Sequence, residues 1–263
     1  MDNADFIITG LPRGGTTLLA AIIDEMPDSV CLNEPLWQHE WAKHNAHNAA
    51  GFADWLTADF SRLRALLAAG EPVMDMRGSD GKAVTNYFTS GGASVVPMPF
   101  IRPGLSCQFL LSIKHNGLYL SALPALARSG QFKIIALIRN PQAVLASWQK
   151  TLIPVSEGRF PAAKTYWRQM AELTSLPLEL LEKQVRMIDL IFKRLWEMRD
   201  RITIVTYEEL TADPNIISAI TGKKTLFNTR DIQKKNAEDY AVDLSLIAEA
   251  LKRYGRHYRH FYG

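Results

Sequence analysis

The sequence predicts an α/β fold, a three-layer sandwich with a central parallel sheet, on three observations. Short apolar runs alternate with longer stretches in which apolar residues recur at helical spacing. The apolar runs are continuous, which is typical of strands buried on both faces of a parallel sheet. No linker rich in Pro, Gly or Ser separates two self-sufficient cores, so we expect one domain over residues 1–263.

The predicted elements of the first half begin with a strand that ends in a glycine-rich turn. The pattern predicts strands at 6–9, 30–32 and 73–76, and helices at 16–25 and 36–70, the second broken near Gly51. Pro27 ends the first helix because proline cannot continue one. Residues 78–106 are rich in Gly, Ser and Pro and predict a long loop or a loose hairpin. Because long loops are often functional, we expect either part of a ligand site or a surface insertion there.

The second half repeats the alternation. The pattern predicts strands at 109–113, 132–138 and 202–205, and helices at 117–128, from Pro141 onward, at 162–200 with a break around Pro177, and over most of the remainder. Lys114 and His115 follow the first of these strands, and Arg139 follows the second. Since the carboxyl ends of parallel strands share one edge of a sheet, these side chains are expected near the glycine-rich turn.

The composition excludes several classes of protein. The net charge of +3 is too small for a typical nucleic-acid binder, although local positive charge would suit an anionic small ligand. Cys31 and Cys107 form no metal-binding pattern and no disulfide framework, which favours a reducing compartment. We find no signal peptide and no apolar run of about 18 residues, so we expect a cytoplasmic protein without a transmembrane segment.

The glycine-rich turn after the first strand is a candidate anion site. The first N–H groups of a helix have no intrahelical partner, and the helix dipole adds about half a positive charge there. The turn carries two residues that let the backbone approach a ligand, one forked cation and two hydroxyl donors: Gly14, Gly15, Arg13, Thr16 and Thr17. On its own, the turn predicts that a phosphate-like group binds at the helix N-terminus.

The spacing of this turn is that of the phosphate-binding loop of nucleotide kinases, GxxxxGK[ST], with one departure. Thr16 stands at the lysine position. Such kinases also need a magnesium-binding acid, usually after a neighbouring strand. The two best strands end instead in Lys114 and Arg139, which suits direct binding of anions without a metal ion. A metal-dependent kinase for a small molecule stays as an alternative, and it predicts magnesium-dependent use of ATP.

A second motif, LIRNPQAVLASW at 137–148, supplies a second candidate anion site. Arg139 sits at the carboxyl end of a strand, and Ser147 lies about two turns into the following helix. An arginine and a hydroxyl from one strand–helix unit are able to clamp a single phosphate.

With both motifs present and in order, the sequence resembles the sulfotransferase superfamily that uses 3′-phosphoadenosine 5′-phosphosulfate (PAPS), in its bacterial form. That family carries a PR/KxGTT loop for the 5′-phosphosulfate and an RNPxxxxxS motif for the 3′-phosphate. The resemblance implies that Arg13, Gly14, Gly15, Thr16 and Thr17 hold the 5′-phosphosulfate. It implies that Arg139 and Ser147 hold the 3′-phosphate. Tyr207, in a segment similar to the family's YEDL, is then expected near the nucleotide.

The resemblance also has limits that concern the branch of the family. Leu32 to Pro35 looks like the "EP" segment of bacterial carbohydrate-type and small-molecule sulfotransferases. The phenol and steroid branch has lysine in its loop and a C-terminal GxxGxxK, whereas this chain has Arg13 and no clear GxxGxxK. The nucleotide contacts near the C-terminus are therefore left open.

The implied reaction is transfer of a sulfuryl group to an acceptor hydroxyl, in preference to an amine, with no metal ion. Arg13 and Lys114 would stabilise negative charge, and Glu34 and His115 are the two candidate bases, with Glu34 ranked first. The acceptor would be a small molecule or a glycan, with carbohydrate, lipid and small-molecule alcohols all left open. A non-catalytic nucleotide-binding module is a further alternative, and the oligomeric state is not predicted.

Overall fold

The computed structural model describes residues 5–86, 88–89, 92–93, 95–227 and 234–263. Within these ranges the strands are β1 (Phe6–Gly10), β2 (Ser29–Asn33), β3 (Val73–Gly78), β4 (Phe88–Thr89), β5 (Gly92–Ala93), β6 (Val95–Phe100), β7 (Leu110–Lys114), β8 (Lys133–Ile138) and β9 (Thr203–Thr206). The helices are α1 (Thr16–Asp24), α2 (Leu36–His44), α3 (Ala49–Ala68), α4 (Asn116–Ser129), α5 (Pro141–Trp148), α6 (Ala163–Tyr166), α7 (Arg168–Ser175), α8 (Leu180–Met198), α9 (Tyr207–Ala212), α10 (Asn215–Thr221), α11 (Leu244–Tyr254) and α12 (Arg259–Tyr262). Short 3₁₀ turns cover Pro154–Glu157 and Glu238–Tyr240.

The centre of the fold is a five-stranded parallel sheet in the order β2-β7-β1-β8-β9. One apolar cluster packs α1 and α10 against one face, with Ile8, Ile22 and Leu137 among its members. A larger cluster packs α3, α4, α5 and α8 against the other face, with Ile7 and Ile138 among its members. Both faces are therefore covered, which explains the continuous apolar strands and confirms the predicted three-layer α/β fold.

The predicted break near Gly51 is displaced by several residues. The chain leaves the helix after His44 and re-enters at Ala49, so Gly51 lies inside α3. The Asn48 side chain caps α3 by accepting a hydrogen bond from the Gly51 amide at 2.9 Å. The local signal for the break was thus the asparagine cap, which outweighs the low helix propensity of glycine in the first turn.

The segment predicted as a long loop or loose hairpin contributes one strand of an antiparallel ribbon. Its strand β6 pairs with β3, which ends where the segment begins, from Val73↔Phe100 to Gly78↔Val95. Part of the predicted segment, residues 87, 90, 91 and 94, lies outside the described residues. The ribbon is fixed to α1 by the buried Arg77, whose guanidinium donates to both carboxylate oxygens of Asp24 at 2.9 and 3.1 Å. A bidentate pair of this kind holds the ribbon in one orientation.

The last third of the chain is mainly helical, as predicted. The break expected around Pro177 is confirmed, since α7 ends at Ser175 and α8 begins at Leu180. No helix in the described ranges is long and apolar enough to cross a membrane.

Candidate active site

The candidate site lies along the carboxyl edge of the central sheet. β1 runs between β7 and β8, and the register pairs Ile8 with Lys114 and Gly10 with Leu137. The turn after β1 is therefore flanked on one side by the residues that follow β7 and on the other by those that follow β8. Because the chain leaves β1 toward one side and returns through β8 on the other, this is the crevice where open α/β sheets bind ligands.

The turn between β1 and α1 is held in an unusual backbone conformation. Gly10, Arg13 and Gly15 all have positive φ, at 144°, 67° and 96°. The Gly14 amide donates to the Leu11 carbonyl at 2.8 Å, which closes the turn. Gly15 is the N-cap of α1 and provides no side-chain cap, so the helix N-terminus keeps donors for a ligand.

Gly15 is also required by the close approach of Tyr207. A Cβ atom added at Gly15 would lie 2.5 Å from Cδ2 of Tyr207, which is closer than real side-chain contacts allow. Tyr207 begins α9 directly after β9, and burial is the main cause that raises the pKa of its phenol. Tyr207 therefore lies beside the turn, and its expected place near a nucleotide stays a prediction.

The two sequence motifs contact each other directly. Nε of Arg13 donates to Oγ of Ser147 at 3.1 Å, and Nη1 of Arg139 donates to the Arg13 carbonyl at 3.3 Å. The indole Nε1 of Trp148 donates to the Pro12 carbonyl at 2.9 Å. The Arg13 side chain therefore belongs to the group around Ser147, although the sequence resemblance assigned it to the first motif's ligand.

Arg139 is a buried cation whose partners in the described ranges are neutral. The residue is only 5% exposed, and Nη2 of its guanidinium donates to the Lys235 carbonyl. Its guanidinium also lies 4.5 Å from the centre of the Tyr207 ring. A buried arginine without a carboxylate partner is costly unless an anion neutralises it. This arrangement indicates an anion site between Arg139, Arg13 and the fully buried Ser147.

On the other side of the turn, Glu34 and Lys114 form an ion pair. Nζ of Lys114 lies 2.6 Å from Oε1 of Glu34, and the Glu34 carboxylate also accepts from the Asn116 amide. Burial opposes ionisation of Glu34, but the charge of Lys114 and its hydrogen bond to the carboxylate outweigh burial and lower the pKa of this carboxyl. Glu34 has a positive φ of 46°, and its amide donates to the Lys114 carbonyl at 2.8 Å. The side chain keeps 34% of its surface exposed, so it is accessible from the crevice.

His115 packs beside this pair as a neutral imidazole. Burial is the main cause that lowers the pKa of His115, to about 4, despite the neighbouring Glu34. Its ring stacks with that of His39 at 6.3 Å between centroids and tilts against Tyr119 at 5.5 Å. Nδ1 of His115 is buried and has no hydrogen-bond partner in the described part of the chain.

Further buried polar atoms near this pair also lack partners among the described residues. They include both amide atoms of Asn33, which is 1% exposed, and Oδ1 of Asn116. Asn33 precedes Glu34, and Asn116 follows His115, so these amides belong to the same two strand ends. Buried polar atoms are rarely left unpaired in native proteins, and a bound ligand is one explanation for a local group of them.

The structure therefore brings every predicted site residue to one edge of the sheet. Thr16 is buried in the first turn of α1, and Thr17 is half-buried beside it. Sequence reasoning did not single out Asn33, although it lies in the Leu32–Pro35 segment, and it missed Asn116, which belongs to no recognisable motif. In the described ranges no group of three or more His, Cys, Asp or Glu side chains is arranged to hold a metal ion.

Comparison with known proteins identifies one family. The model of the sulfotransferase family matches residues 5–217, which includes both motifs and all the site residues predicted from the sequence. No curated protein matches the chain.

Several solved structures are similar to this chain at low sequence identity. A sulfotransferase from Alicyclobacillus acidocaldarius is 17% identical, with a TM-score of 0.43 and coverage of 97% of this chain and 95% of that one. One from Mycobacterium avium is 14% identical, with a TM-score of 0.45 and coverage of 99% and 78%. One from Mycobacterium tuberculosis is 15% identical, with a TM-score of 0.41 and coverage of 94% and 76%.

Proposed function

Because the chain belongs to the sulfotransferase family, we propose that it transfers a sulfuryl group from PAPS to an acceptor hydroxyl. The observation that carries the choice of donor is the buried Arg139, whose described partners are all neutral, beside Arg13 and Ser147. This second anion site, apart from the helix N-terminus of α1, suits a nucleotide with separate 5′ and 3′ anionic groups. A nucleotide with phosphates only at the 5′ position would leave Arg139 unneutralised.

The residues present fit such a donor at both ends. The N-terminus of α1, with Thr16 and Thr17, would receive the 5′-phosphosulfate through backbone and hydroxyl donors. Arg139 and Ser147 would receive the 3′-phosphate through charge-assisted hydrogen bonds. The Tyr207 ring would hold Arg139 in place from one face.

The chemistry requires a base and a stabiliser of negative charge, and we assign these to the other side of the turn. Glu34 would accept the proton of the acceptor hydroxyl as that oxygen forms its bond to sulfur. The bond between sulfur and the bridging oxygen breaks at the same time, and adenosine 3′,5′-bisphosphate (PAP) leaves. Lys114 would stabilise the charge on the sulfuryl oxygens once proton transfer weakens its pair with Glu34.

The unpaired polar atoms support a polar acceptor. Asn33, Asn116 and Nδ1 of His115 provide both donors and acceptors beside Glu34. An acceptor that carries further hydroxyl groups next to the reacting one would satisfy them. We therefore propose a small-molecule or glycan hydroxyl as acceptor, with His115 positioning it.

One experiment tests both the proposed sulfuryl transfer and the kinase alternative. The purified protein is incubated with ³⁵S-labelled PAPS and a panel of sugars and alcohols, with EDTA present, and in parallel with γ-³²P-labelled ATP and magnesium. We expect labelled product from PAPS in EDTA and none from ATP. Transfer from ATP that depends on magnesium, with none from PAPS, would establish the kinase alternative.

A further inference from the structure

The Tyr240 side chain lies beside the anion site formed by Arg13, Arg139 and Ser147. Tyr240 ends the 3₁₀ turn Glu238–Tyr240, which packs against α5, the helix that carries Ser147. The phenol oxygen interacts electrostatically with the Ser147 hydroxyl and with the guanidinium groups of Arg139 and Arg13. The residue is half-buried, and its ring packs against the larger apolar cluster.

The donors around this hydroxyl exceed what a neutral phenol can use. Oγ of Ser147 already accepts from Nε of Arg13, so the Ser147 hydroxyl hydrogen is available for Tyr240. Two guanidinium groups and one hydroxyl thus face one phenol oxygen, which has its own proton and little acceptor capacity left. A phosphate has three free oxygens and negative charge, and it would use all these donors. The group matches a phosphate much better than it matches a phenol.

The electrostatic surroundings of the Tyr240 hydroxyl also suit an anion such as a phosphate. Burial opposes ionisation of Tyr240, but the interaction with the Ser147 hydroxyl and the charge of Arg139 outweigh it and lower the pKa of the phenol. The surroundings therefore favour negative charge at the position of this oxygen.

The chain around Tyr240 is a separate surface segment and not part of the sheet or its helices. Lys235 and Asn236 are exposed, and the Lys235 carbonyl accepts from Arg139. Ala241, directly after Tyr240, has a positive φ of 47°. An alanine in this conformation carries some strain. The segment thus contacts the anion site through the hydrogen bond from Arg139 to the Lys235 carbonyl and through the Tyr240 side chain.

We infer that the Tyr240 hydroxyl occupies the position of the nucleotide's 3′-phosphate and competes with it, so that Tyr240 is a specificity-determining residue. This inference rests on the proposed function, because it assumes that the anion bound here belongs to the donor. A nucleotide with a 3′-phosphate displaces the phenol from Arg13, Arg139 and Ser147. A nucleotide without one leaves the phenol in place and gains nothing from these donors.

The test is the affinity of the Tyr240→Phe variant, which removes the competing oxygen and keeps the packed ring. The dissociation constants of PAP and of 5′-AMP are measured by isothermal titration calorimetry for the wild type and the variant. We expect PAP to bind about 3- to 10-fold more tightly to Tyr240→Phe, because the free site has lost one hydrogen-bond acceptor. We expect the affinity for 5′-AMP to stay unchanged.

A matched control and two contrary outcomes complete the experiment. Tyr254→Phe makes the same change on α11, where the ring contacts Arg186 and lies outside the site, so it should leave both affinities unchanged. Equal or weaker binding of PAP to Tyr240→Phe would overturn the inference, and weaker binding would identify Tyr240 as a ligand of the phosphate. If PAP bound no better than 5′-AMP to either the wild type or Tyr240→Phe, that result would instead overturn the proposed function, and the inference with it.

Discussion

Two buried cations end the strands on either side of β1, and they differ in their partners. Lys114 is 1% exposed and is paired with Glu34 at 2.6 Å. Arg139 is 5% exposed and contacts carbonyl groups, an aromatic ring and a phenol. The first cation is neutralised by the protein itself, whereas the second is suited to a charge brought by a ligand. Under the proposed function, this difference assigns proton transfer to one side of the crevice and nucleotide binding to the other.

Substitution of Glu34 by Gln tests the first of these roles. The variant keeps the shape of the side chain and loses the proton acceptor, so we expect kcat to fall about 10²- to 10⁴-fold. The affinity for PAP, measured by calorimetry, should stay within about 3-fold, because the 3′-phosphate side is untouched.

His115→Ala is the comparison for the same assay. We expect a smaller loss of kcat and a rise in KM for the acceptor, because His115 would position the acceptor and leave the proton transfer to Glu34. Near-normal turnover of Glu34→Gln together with inactivity of His115→Ala would reverse the assignment of the base.

At the residue scale, the sequence predicted which side chains meet but not all of their contacts. Strand ends alone placed Glu34, Lys114 and Arg139 at one edge, because parallel strands share their carboxyl ends. The direction of the Arg13 side chain could not be predicted, because it depends on Ser147, 134 residues away in sequence. Tyr240 was missed for the same reason, since only the folded chain brings it to Arg139.

At the scale of elements, the turn between β1 and α1 combines three positions of positive φ with a close aromatic neighbour. Gly10 pairs with Leu137 so closely that a Cβ atom there would lie 2.0 Å from the Leu137 carbonyl oxygen. A Cβ atom at Gly15 would likewise lie too close to the Tyr207 ring, at 2.5 Å from its Cδ2. The glycines are therefore needed for packing of the turn against β8 and α9, as well as for approach of a ligand.

Replacement of Gly15 by Ala tests the importance of this turn. The positive φ costs about 1–2 kcal/mol for an alanine, and the clash with Tyr207 forces the turn or the ring to move. We expect a lower melting temperature and at least a roughly 10-fold weaker affinity for PAP, since displaced amides lose about 1.5 kcal/mol or more per charged hydrogen bond.

Gly130→Ala is the control for backbone strain alone. Gly130 ends α4 with φ of 67°, and no atom lies within 4 Å of the Cβ that the substitution adds. This variant should lose a similar amount of stability from its backbone and keep the affinity for PAP. Equal losses of affinity in both variants would show that the geometry of the turn is unimportant for the ligand.

The boundaries of the elements were predicted well where composition marks them. Pro27, Pro141 and Pro177 delimit helices because proline fixes φ and lacks an N–H group. The break before α3 was placed too late, because the glycine at position 51 was weighed above the capping side chain of Asn48. The position of the β3–β6 ribbon was less visible, since Arg77 connects it to Asp24, which is 53 residues away in sequence.

At the scale of the whole molecule, the strand order places two functions on opposite sides of one turn. β7 and β2 carry the pair Lys114–Glu34 on one side, and β8 and β9 carry Arg139 and Tyr207 on the other. Neighbouring strands lie about 4.8 Å apart, so the two sides are about 10 Å apart across β1. The acceptor and the 3′ end of the donor would therefore bind without overlap.

The central claim is that one nucleotide bridges the turn and the Arg139 site, and the most direct measurement compares PAP with 5′-AMP by calorimetry in EDTA. The two ligands differ only in the 3′-phosphate. We expect PAP to bind about 100-fold more tightly, because Arg139, Arg13 and Ser147 add charge-assisted hydrogen bonds worth about 1.5–3 kcal/mol each, less the cost of displacing Tyr240. Equal affinities for PAP and 5′-AMP would contradict the account.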